Sequence, residues 1–121
     1  MLSLSPTIRI FLCAEPADLR KSFDGLSALV RQALGGDPLS GHWFVFRNRK
    51  GDRLKILAWE EDGWCLWYKR LEEGVFRFPV AVGDGPPRVE VRAAELAMLL
   101  DGVVLEKVQR RKRYHRPATA T

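Results

Sequence analysis

The sequence has few of the residues from which catalytic and metal centres are built. Among 121 residues there are two cysteines and two histidines. Neither His42 nor His115 lies at metal-ligand spacing from a cysteine or from the other histidine. There is no glycine-rich phosphate loop and no nucleophile elbow, and the acidic run at residues 60–62 is typical of a solvated turn. We therefore expect a protein that is not an enzyme, needs no cofactor or metal, and has no small-molecule substrate.

The chain also lacks a long hydrophobic stretch. No apolar run approaches the roughly 20 residues of a membrane-spanning helix, and residues 1–7 lack the basic start and apolar segment of a signal peptide. We therefore expect a cytoplasmic protein with no membrane partner. Cys13 and Cys65 each lie in an apolar, strand-like run. Because cytoplasmic cysteines rarely pair, both are predicted to be reduced core residues.

The positive charge of the chain is concentrated at its C-terminal end. Residues 1–105 contain 14 Lys and Arg and 14 Asp and Glu, whereas residues 106–121 contain six Lys and Arg and one Glu, which accounts for the net charge of +5. A neutral body with a cationic tail is typical of a protein that meets a polyanion, and nucleic acid is the commonest one.

The order of periodic segments predicts an α+β domain. Residues 8–13 form an expected strand, and apolar residues at helical spacing predict one long helix over residues 19–34 with Asp18 as its N-cap. Expected strands follow at residues 42–47, 53–59, 64–71, 75–78 and 88–91, and a short helix at 93–100. Because strands joined by tight turns pair with their neighbours, we predict an antiparallel meander sheet of about five strands with the long helix packed on it. The domain is predicted to span residues 1–106, followed by a flexible, disordered basic tail at 107–121.

The tail is the first candidate for nucleic-acid binding. It is too charged to be buried and too short to fold alone. Its candidate phosphate-binding residues are Arg110, Arg111, Lys112, Arg113 and Arg116, and Tyr114 and His115 are free to stack on bases. The alternative is a solvated arm that aids solubility. Phosphate contacts of this kind would position the protein without reading base sequence.

The second candidate is one face of the hairpin formed by residues 53–71. A tight turn at 60–63 pairs Trp59 with Trp64, Leu57 with Leu66, Lys55 with Tyr68 and Arg53 with Arg70, all on one face by alternation. Cations mixed with aromatic residues are typical of a nucleic-acid platform. Arg47, Arg49 and Lys50 extend this surface, and Lys69 lies at the rim of the opposite, apolar face. The alternative is a second packing face beneath the helix, with the long cations reaching to solvent.

Several segments resemble one known family. Residues 18–26, DLRKSFDGL, follow the pattern D-[ML]-R-K-x-F-D-G-L, and residues 37–50, DPLSGHWFVFRNRK, continue the match. Further matching segments are KILAW at 55–59, GWCLWYKRL at 63–71, FRFP at 76–79 and ELAMLLDG at 95–102. In unbroken order over about residues 8–105, these resemble the TnpB accessory proteins of the bacterial insertion sequences of family sixty-six. They do not resemble the RNA-guided nuclease that shares the name TnpB.

The resemblance implies a role but no chemistry. It implies an accessory protein that supports transposition, while a separate, larger transposase carries the acidic catalytic residues. The family provides no binding site to transfer to this chain, so the site residues above are candidates on physical grounds alone. Two function hypotheses therefore stay open: a factor that binds DNA within the transposition complex, and an adaptor that docks on the transposase. An exposed apolar patch at Trp59, Trp64 and Leu66 would favour the adaptor. The oligomeric state is left open.

Two features of the motif at residues 18–26 carry structural expectations. Gly25 lies inside the predicted helix, where glycine costs about 1 kcal/mol relative to alanine, so we expect close packing there, most simply on the sheet. Arg20 and Lys21 lie near the helix N-terminus, where the helix dipole disfavours cations. We therefore expect an acidic partner for them, either Asp24 within the helix or an external phosphate or acidic surface.

Overall fold

The computed structural model describes residues 5–102, in which one mixed sheet is covered on both faces. The elements are β1 (Ile10–Cys13), α1 (Phe23–Gln32), β2 (Trp43–Arg47), β3 (Arg53–Glu60), β4 (Gly63–Arg70), β5 (Arg88–Val91) and α2 (Ala93–Leu100). This confirms the α+β class, the five strands and the short second helix. The predicted basic tail lies outside the described residues.

The sheet is not an antiparallel meander, which corrects the prediction. Its strand order is β4-β3-β2-β1-β5, and β1 pairs parallel with β2, with Phe11 opposite Phe44. The cause is α1, which carries the chain back across the sheet between the two strands, and such a crossover makes the strands parallel. The other pairs, β2 with β3, β3 with β4, and β1 with β5, are antiparallel.

The first helix is shorter than predicted. It begins at Phe23, with Ser22 as its N-cap, and ends at Gln32, so Asp18 is not the cap. Asp18 instead closes a turn, because its carbonyl accepts the Lys21 N–H at 3.1 Å and its carboxylate accepts the Arg20 N–H at 3.0 Å. A local side-chain acceptor of this kind competes with helix formation and explains why the helical spacing overextends the element.

Residues 75–78 are not a strand, which also corrects the prediction. The Phe76 N–H donates to the Gly51 carbonyl at 2.7 Å, and the Phe76 side chain is buried. The segment crosses one face of the sheet instead of joining an edge. Gly51 has a positive φ of 83°, and a Cβ there would lie 3.3 Å from the Val75 Cβ, so the turn at 48–52 and this segment pack directly on each other.

The two faces of the sheet bury separate apolar clusters. On one face, Leu26, Val30 and Leu34 pack with Phe44, Phe46 and Leu57; we call this the α1 face. On the other, Leu96 and Leu99 of α2 and Phe76 pack with Val45 and Ile56. Because successive side chains of a strand point to opposite faces, each strand contributes residues to both clusters. β2 and β3 are therefore buried on both sides.

The predicted hairpin register is confirmed. Trp59 pairs with Trp64, Leu57 with Leu66, Lys55 with Tyr68 and Arg53 with Arg70. The pairing extends one step further, to Glu60 and Gly63.

Both cysteines are free thiols. Cys13 is buried, and its thiol donates to the Glu15 carbonyl at a sulfur–oxygen distance of 3.3 Å, whereas Cys65 is only partly buried. No helix between residues 5 and 102 combines the length and apolar character needed to cross a bilayer.

Replacing Leu26 by alanine should destabilise the domain by about 2–5 kcal/mol, because the side chain is fully buried between α1 and the sheet and its loss leaves a cavity. Urea unfolding measures the change. Leu39→Ala is the matched control: Leu39 is 47% exposed, so its loss should change stability by no more than about 0.5 kcal/mol. Equal effects at the two positions would contradict the packing described above.

Candidate nucleic-acid interface

A buried lysine fixes the segment that precedes α1 to the sheet. Lys55 is 8% exposed, and its ammonium donates to the carbonyls of Leu19 at 2.7 Å and of Lys21 at 3.0 Å. The same nitrogen lies 4.9 Å from the centre of the Tyr68 ring. These contacts satisfy the buried charge. Lys55 therefore lies inside the domain and not on the surface where the sequence pattern placed it.

The segment held by Lys55 presents Arg20 to solvent. The Arg20 side chain is 92% exposed. Its guanidinium bonds the Asp18 carboxylate through Nε at 3.0 Å and Nη2 at 2.8 Å. The partner of Arg20 is therefore Asp18 and not Asp24. This arrangement keeps the pKa of the Asp18 carboxyl well below its usual range, first through the side-chain hydrogen bond from Arg20 and then through the backbone one.

Gly25 makes room for the same segment. A Cβ at this position would lie 2.9 Å from the Lys21 Cβ and 3.0 Å from its Cγ. The close packing expected at Gly25 is therefore against the stem of Lys21, and the expectation that it packs on the sheet is wrong. Lys21 therefore makes two contacts that hold this segment. Its aliphatic stem packs against Gly25, and its carbonyl accepts a hydrogen bond from the Lys55 ammonium.

The turn between β2 and β3 is held by Asn48. Its Oδ1 accepts the N–H groups of Gly51 at 2.9 Å and Arg53 at 3.0 Å, and its Nδ2 donates to Asp52 at 2.8 Å. Arg49 and Lys50 at the tip are exposed, and Lys50 lies 3.7 Å from the Asp52 carboxylate. The turn is thus internally bonded, while its cations face water.

The two anchored segments enclose an open cleft of about 520 Å³. We call it the cationic cleft; its lining residues are Pro16, Ala17, Asp18, Leu19, Arg20, Asn48, Arg49, Lys50 and Arg53. Four of these nine are cations and one is an anion, so the lining carries a net charge of +3. The Ala17 N–H donates to the Arg47 carbonyl at 2.8 Å and joins the two walls. Such a concentration of positive charge in a concave surface attracts phosphates.

An aromatic side chain lies next to the cleft on the same face. Tyr68 is 49% exposed, and its hydroxyl accepts a hydrogen bond from Arg53 Nη1 at 3.3 Å. Arg70, opposite Arg53 in the hairpin, is exposed and bonds Glu72 at 3.2 Å. Arg53, Tyr68 and Arg70 therefore form a rim of cations and an aromatic ring beside the cleft.

The hairpin face predicted as a platform divides into two parts. Leu57, Trp64 and Leu66 pack in the α1 core, which is the packing alternative raised above. The end of the face with Arg53, Tyr68 and Arg70 is exposed. Trp59 and Trp64 make an edge-to-face contact with ring centres 5.0 Å apart, and both are partly buried. The exposed apolar patch that would have favoured the adaptor is therefore not formed by these residues.

The remaining candidates lie apart from the cleft. Arg47 is half-buried; it donates to the Ala14 carbonyl at 3.2 Å and its guanidinium lies 5.3 Å from the Phe78 ring centre. Burial lowers the pKa of Arg47 from its ordinary value, and its side chain connects the end of β2 to the segments at Ala14 and Phe78. Lys69 is exposed on the opposite face of β4. The five tail candidates, Arg110, Arg111, Lys112, Arg113 and Arg116, lie outside the described residues.

The sequence pattern placed Arg49, Lys50 and Arg53 on one candidate surface and raised an external phosphate as a partner of Arg20, but it did not bring Arg20 to that surface. Asp18 and Arg20 come from a segment about thirty positions away, and only the parallel packing of β1 on β2 brings it to the turn. The available signal was the strand–helix–strand order of the chain, which predicts a parallel pair.

The fold and the cleft together define a small α+β domain whose described residues place four cations around one concave surface. Comparison with known protein families identifies the family of this domain. The model of the family described as IS66 Orf2-like protein matches residues 8–110. The chain therefore belongs to this family of insertion-sequence accessory proteins, the TnpB proteins of family sixty-six, and the resemblance found in the sequence is confirmed.

Two similar proteins come from Sinorhizobium fredii (strain NBRC 101917 / NGR234). The uncharacterized protein y4jC is 38% identical over 111 residues, which is 92% of either chain. The uncharacterized protein y4hO is 35% identical over 103 residues, covering 85% of this chain and 87% of its own. No solved structure is a significant match.

Replacing Lys55 by methionine should destabilise the domain by about 1–3 kcal/mol, because two carbonyls in the interior lose their charged donor. Urea unfolding measures this loss, and hydrogen exchange at the Lys21 amide should accelerate as the segment loosens. Lys50→Met is the matched control, since the Lys50 side chain is 80% exposed and should tolerate the same change. Full stability of the Lys55 variant would contradict the anchoring role.

The carboxyl of Asp18 should titrate well below the ordinary value of about 3.9, and Arg20→Gln should return its pKa toward that value. Because the folded-state pKa is depressed, the contribution to stability is present above the unfolded-state pKa and is lost as pH falls through the folded-state pKa. Carbon-detected NMR titration of the Asp18 side-chain carboxyl measures its pKa in the parent protein and in Arg20→Gln. Asp52 serves as an internal reference, because its pKa is lowered first by the Asn48 hydrogen bond and should not respond to Arg20→Gln.

Proposed function

We propose that this accessory protein binds the phosphate backbone of nucleic acid in the cationic cleft and acts in transposition without catalysing a reaction itself. The family membership supports the insertion-sequence context. The molecular role rests on the cleft, and one observation carries it: Arg20, Arg49, Lys50 and Arg53 converge on a single concave surface from separate segments of the chain.

The charge and size of the cleft suit a phosphodiester chain better than a neutral ligand. Its volume of about 520 Å³ lies within the usual range of ligand clefts. Four of its nine lining residues are cations, whereas small-molecule pockets typically carry only a few polar groups. Arginine is well matched to phosphate because its planar guanidinium presents several donors in a fixed arrangement.

Both walls of the cleft are fixed before any ligand arrives. Lys55 holds the wall with Arg20, and Asn48 holds the wall with Arg49 and Lys50. Binding a ligand therefore requires little ordering of the backbone. The main entropic cost of binding is the ordering of the exposed side chains. The negative charge of Asp18 repels a bound anion, but its carboxylate also orients the Arg20 guanidinium. Arg20 keeps further N–H donors for a phosphate, because Asp18 uses only Nε and Nη2.

The contacts offered by the cleft are of the kind that position a protein without reading sequence. Arginine and lysine bonds to phosphate carry no base information. Tyr68 at the rim adds a ring on which an unstacked base could lie. We therefore propose binding with weak sequence preference, strengthened by the cations of the predicted tail.

The test is binding of fluorescent duplex and single-stranded DNA across a salt series. Each phosphate contact contributes about 0.9 to the slope of log affinity against log salt for duplex DNA and about 0.7 for a single strand. Arg49→Gln with Lys50→Gln should therefore make the duplex slope shallower by about 1.8 and the single-strand slope by about 1.4. The matched control is Arg31→Gln with Arg77→Gln, which removes the same charge at two exposed positions outside the cleft and should leave the slope nearly unchanged.

A chain ending at Glu106 tests the tail separately. Removing its five arginine and lysine candidates should reduce the slope by about 4.5 if all contact phosphate. Equal losses from the cleft pair and the control pair would show binding by net charge alone and would contradict the cleft as the site. If the full-length protein binds no DNA at low salt, the proposal fails, and docking on the transposase is the hypothesis that remains.

A further inference from the structure

β4 is a long strand with one paired edge. It lies at the end of the strand order, and within residues 5–102 its one strand neighbour is β3, which it pairs along all eight residues. The strand at the opposite end of the sheet, β5, has only four residues. The outer edge of β4 therefore presents a row of backbone donors and acceptors long enough to pair with another strand.

The first six residues of β4 lack the features that usually prevent edge pairing. Residues 63–68, GWCLWY, contain no charge and no proline, and the register with β3 runs without a bulge. Natural edge strands are commonly protected by a lysine in the middle, a proline or a bulge, so this segment is open to a partner.

The charges at the two ends of β4 specify the orientation of that partner. The turn before it carries Glu60, Glu61 and Asp62, and the strand ends with Lys69 and Arg70. If two copies pair antiparallel, the acidic turn of each lies beside the cationic end of the other. A parallel pair would instead set acid beside acid and cation beside cation, which is unfavourable.

We propose that β4 pairs antiparallel with β4 of a second copy of this chain. The two-fold axis is perpendicular to the sheet and passes next to Cys65, which then lies opposite its own copy, as expected for a self-complementary interface. The two five-stranded sheets join into one of ten strands. Rotation about such an axis preserves the faces, so both α1 helices and both cationic clefts lie on the same side. This pairing depends on the outer edge of β4 and on the charges at its two ends, and not on nucleic-acid binding.

Charge reversal with rescue tests the orientation on the full-length protein. Analytical ultracentrifugation over a concentration series at moderate salt should show a monomer–dimer equilibrium. Lys69→Glu with Arg70→Glu should raise the dimer dissociation constant by about tenfold or more, because acid then faces acid. Adding Glu61→Lys and Asp62→Lys should restore dimerisation. The residues at 61, 62, 69 and 70 are exposed, and circular dichroism checks that each variant is folded.

Cross-linking tests the position of the axis. A short bifunctional thiol reagent should join Cys65 of two copies. Cys13→Ser should preserve the product, because Cys13 is buried in the other part of the sheet, whereas Cys65→Ser should abolish it. A monomer at all concentrations, a dimer insensitive to the charge reversal, or a product that survives Cys65→Ser would each overturn the proposal.

Discussion

The bond between the Lys55 ammonium and the carbonyls of Leu19 and Lys21 is the contact on which the rest of the candidate site depends. A charge placed at the centre of a buried strand is unfavourable unless it is fully bonded, and here the bonding partners come from the irregular segment before α1. The segment therefore cannot move away without leaving a charge unsatisfied. That constraint fixes the position of Arg20 and, through Asp18, the direction of its guanidinium.

The same contact explains why this segment is not helical. A helix continuing back to Leu19 would direct carbonyls 19 and 21 along the helix axis toward their own N–H partners. The turn at Asp18 and the late start at Ser22 leave both carbonyls available to Lys55. Gly25 then admits the Lys21 stem against the first turn of α1. Within the motif at residues 18–26, the turn at Asp18, the two carbonyls and the small Gly25 together attach one loop to one strand.

Sequence reasoning was most successful where contacts are local. The hairpin of β3 and β4 was predicted in its correct register, because a tight turn and period-two alternation leave one pairing that buries the apolar set. It was least successful where a residue acts at a distance. Lys55 was predicted at the surface because an alternating cation beside an aromatic residue has the same pattern in either case, and only the loop from residues 18–21 decides its burial. The course of residues 75–78 is long-range in the same way, whereas the parallel pair of β1 and β2 is what the strand–helix–strand order of the chain predicts.

The sequence by itself determined the α+β class, the hairpin, the second helix and the family, because these follow from periodicity, turn residues and motif order. Only the tertiary structure decided which cations share a surface. Arg20 and Arg49 are far apart in the chain and meet because α1 returns β2 to the side of β1. The physical reason is that side-chain burial and convergence depend on long-range packing, which local patterns do not encode.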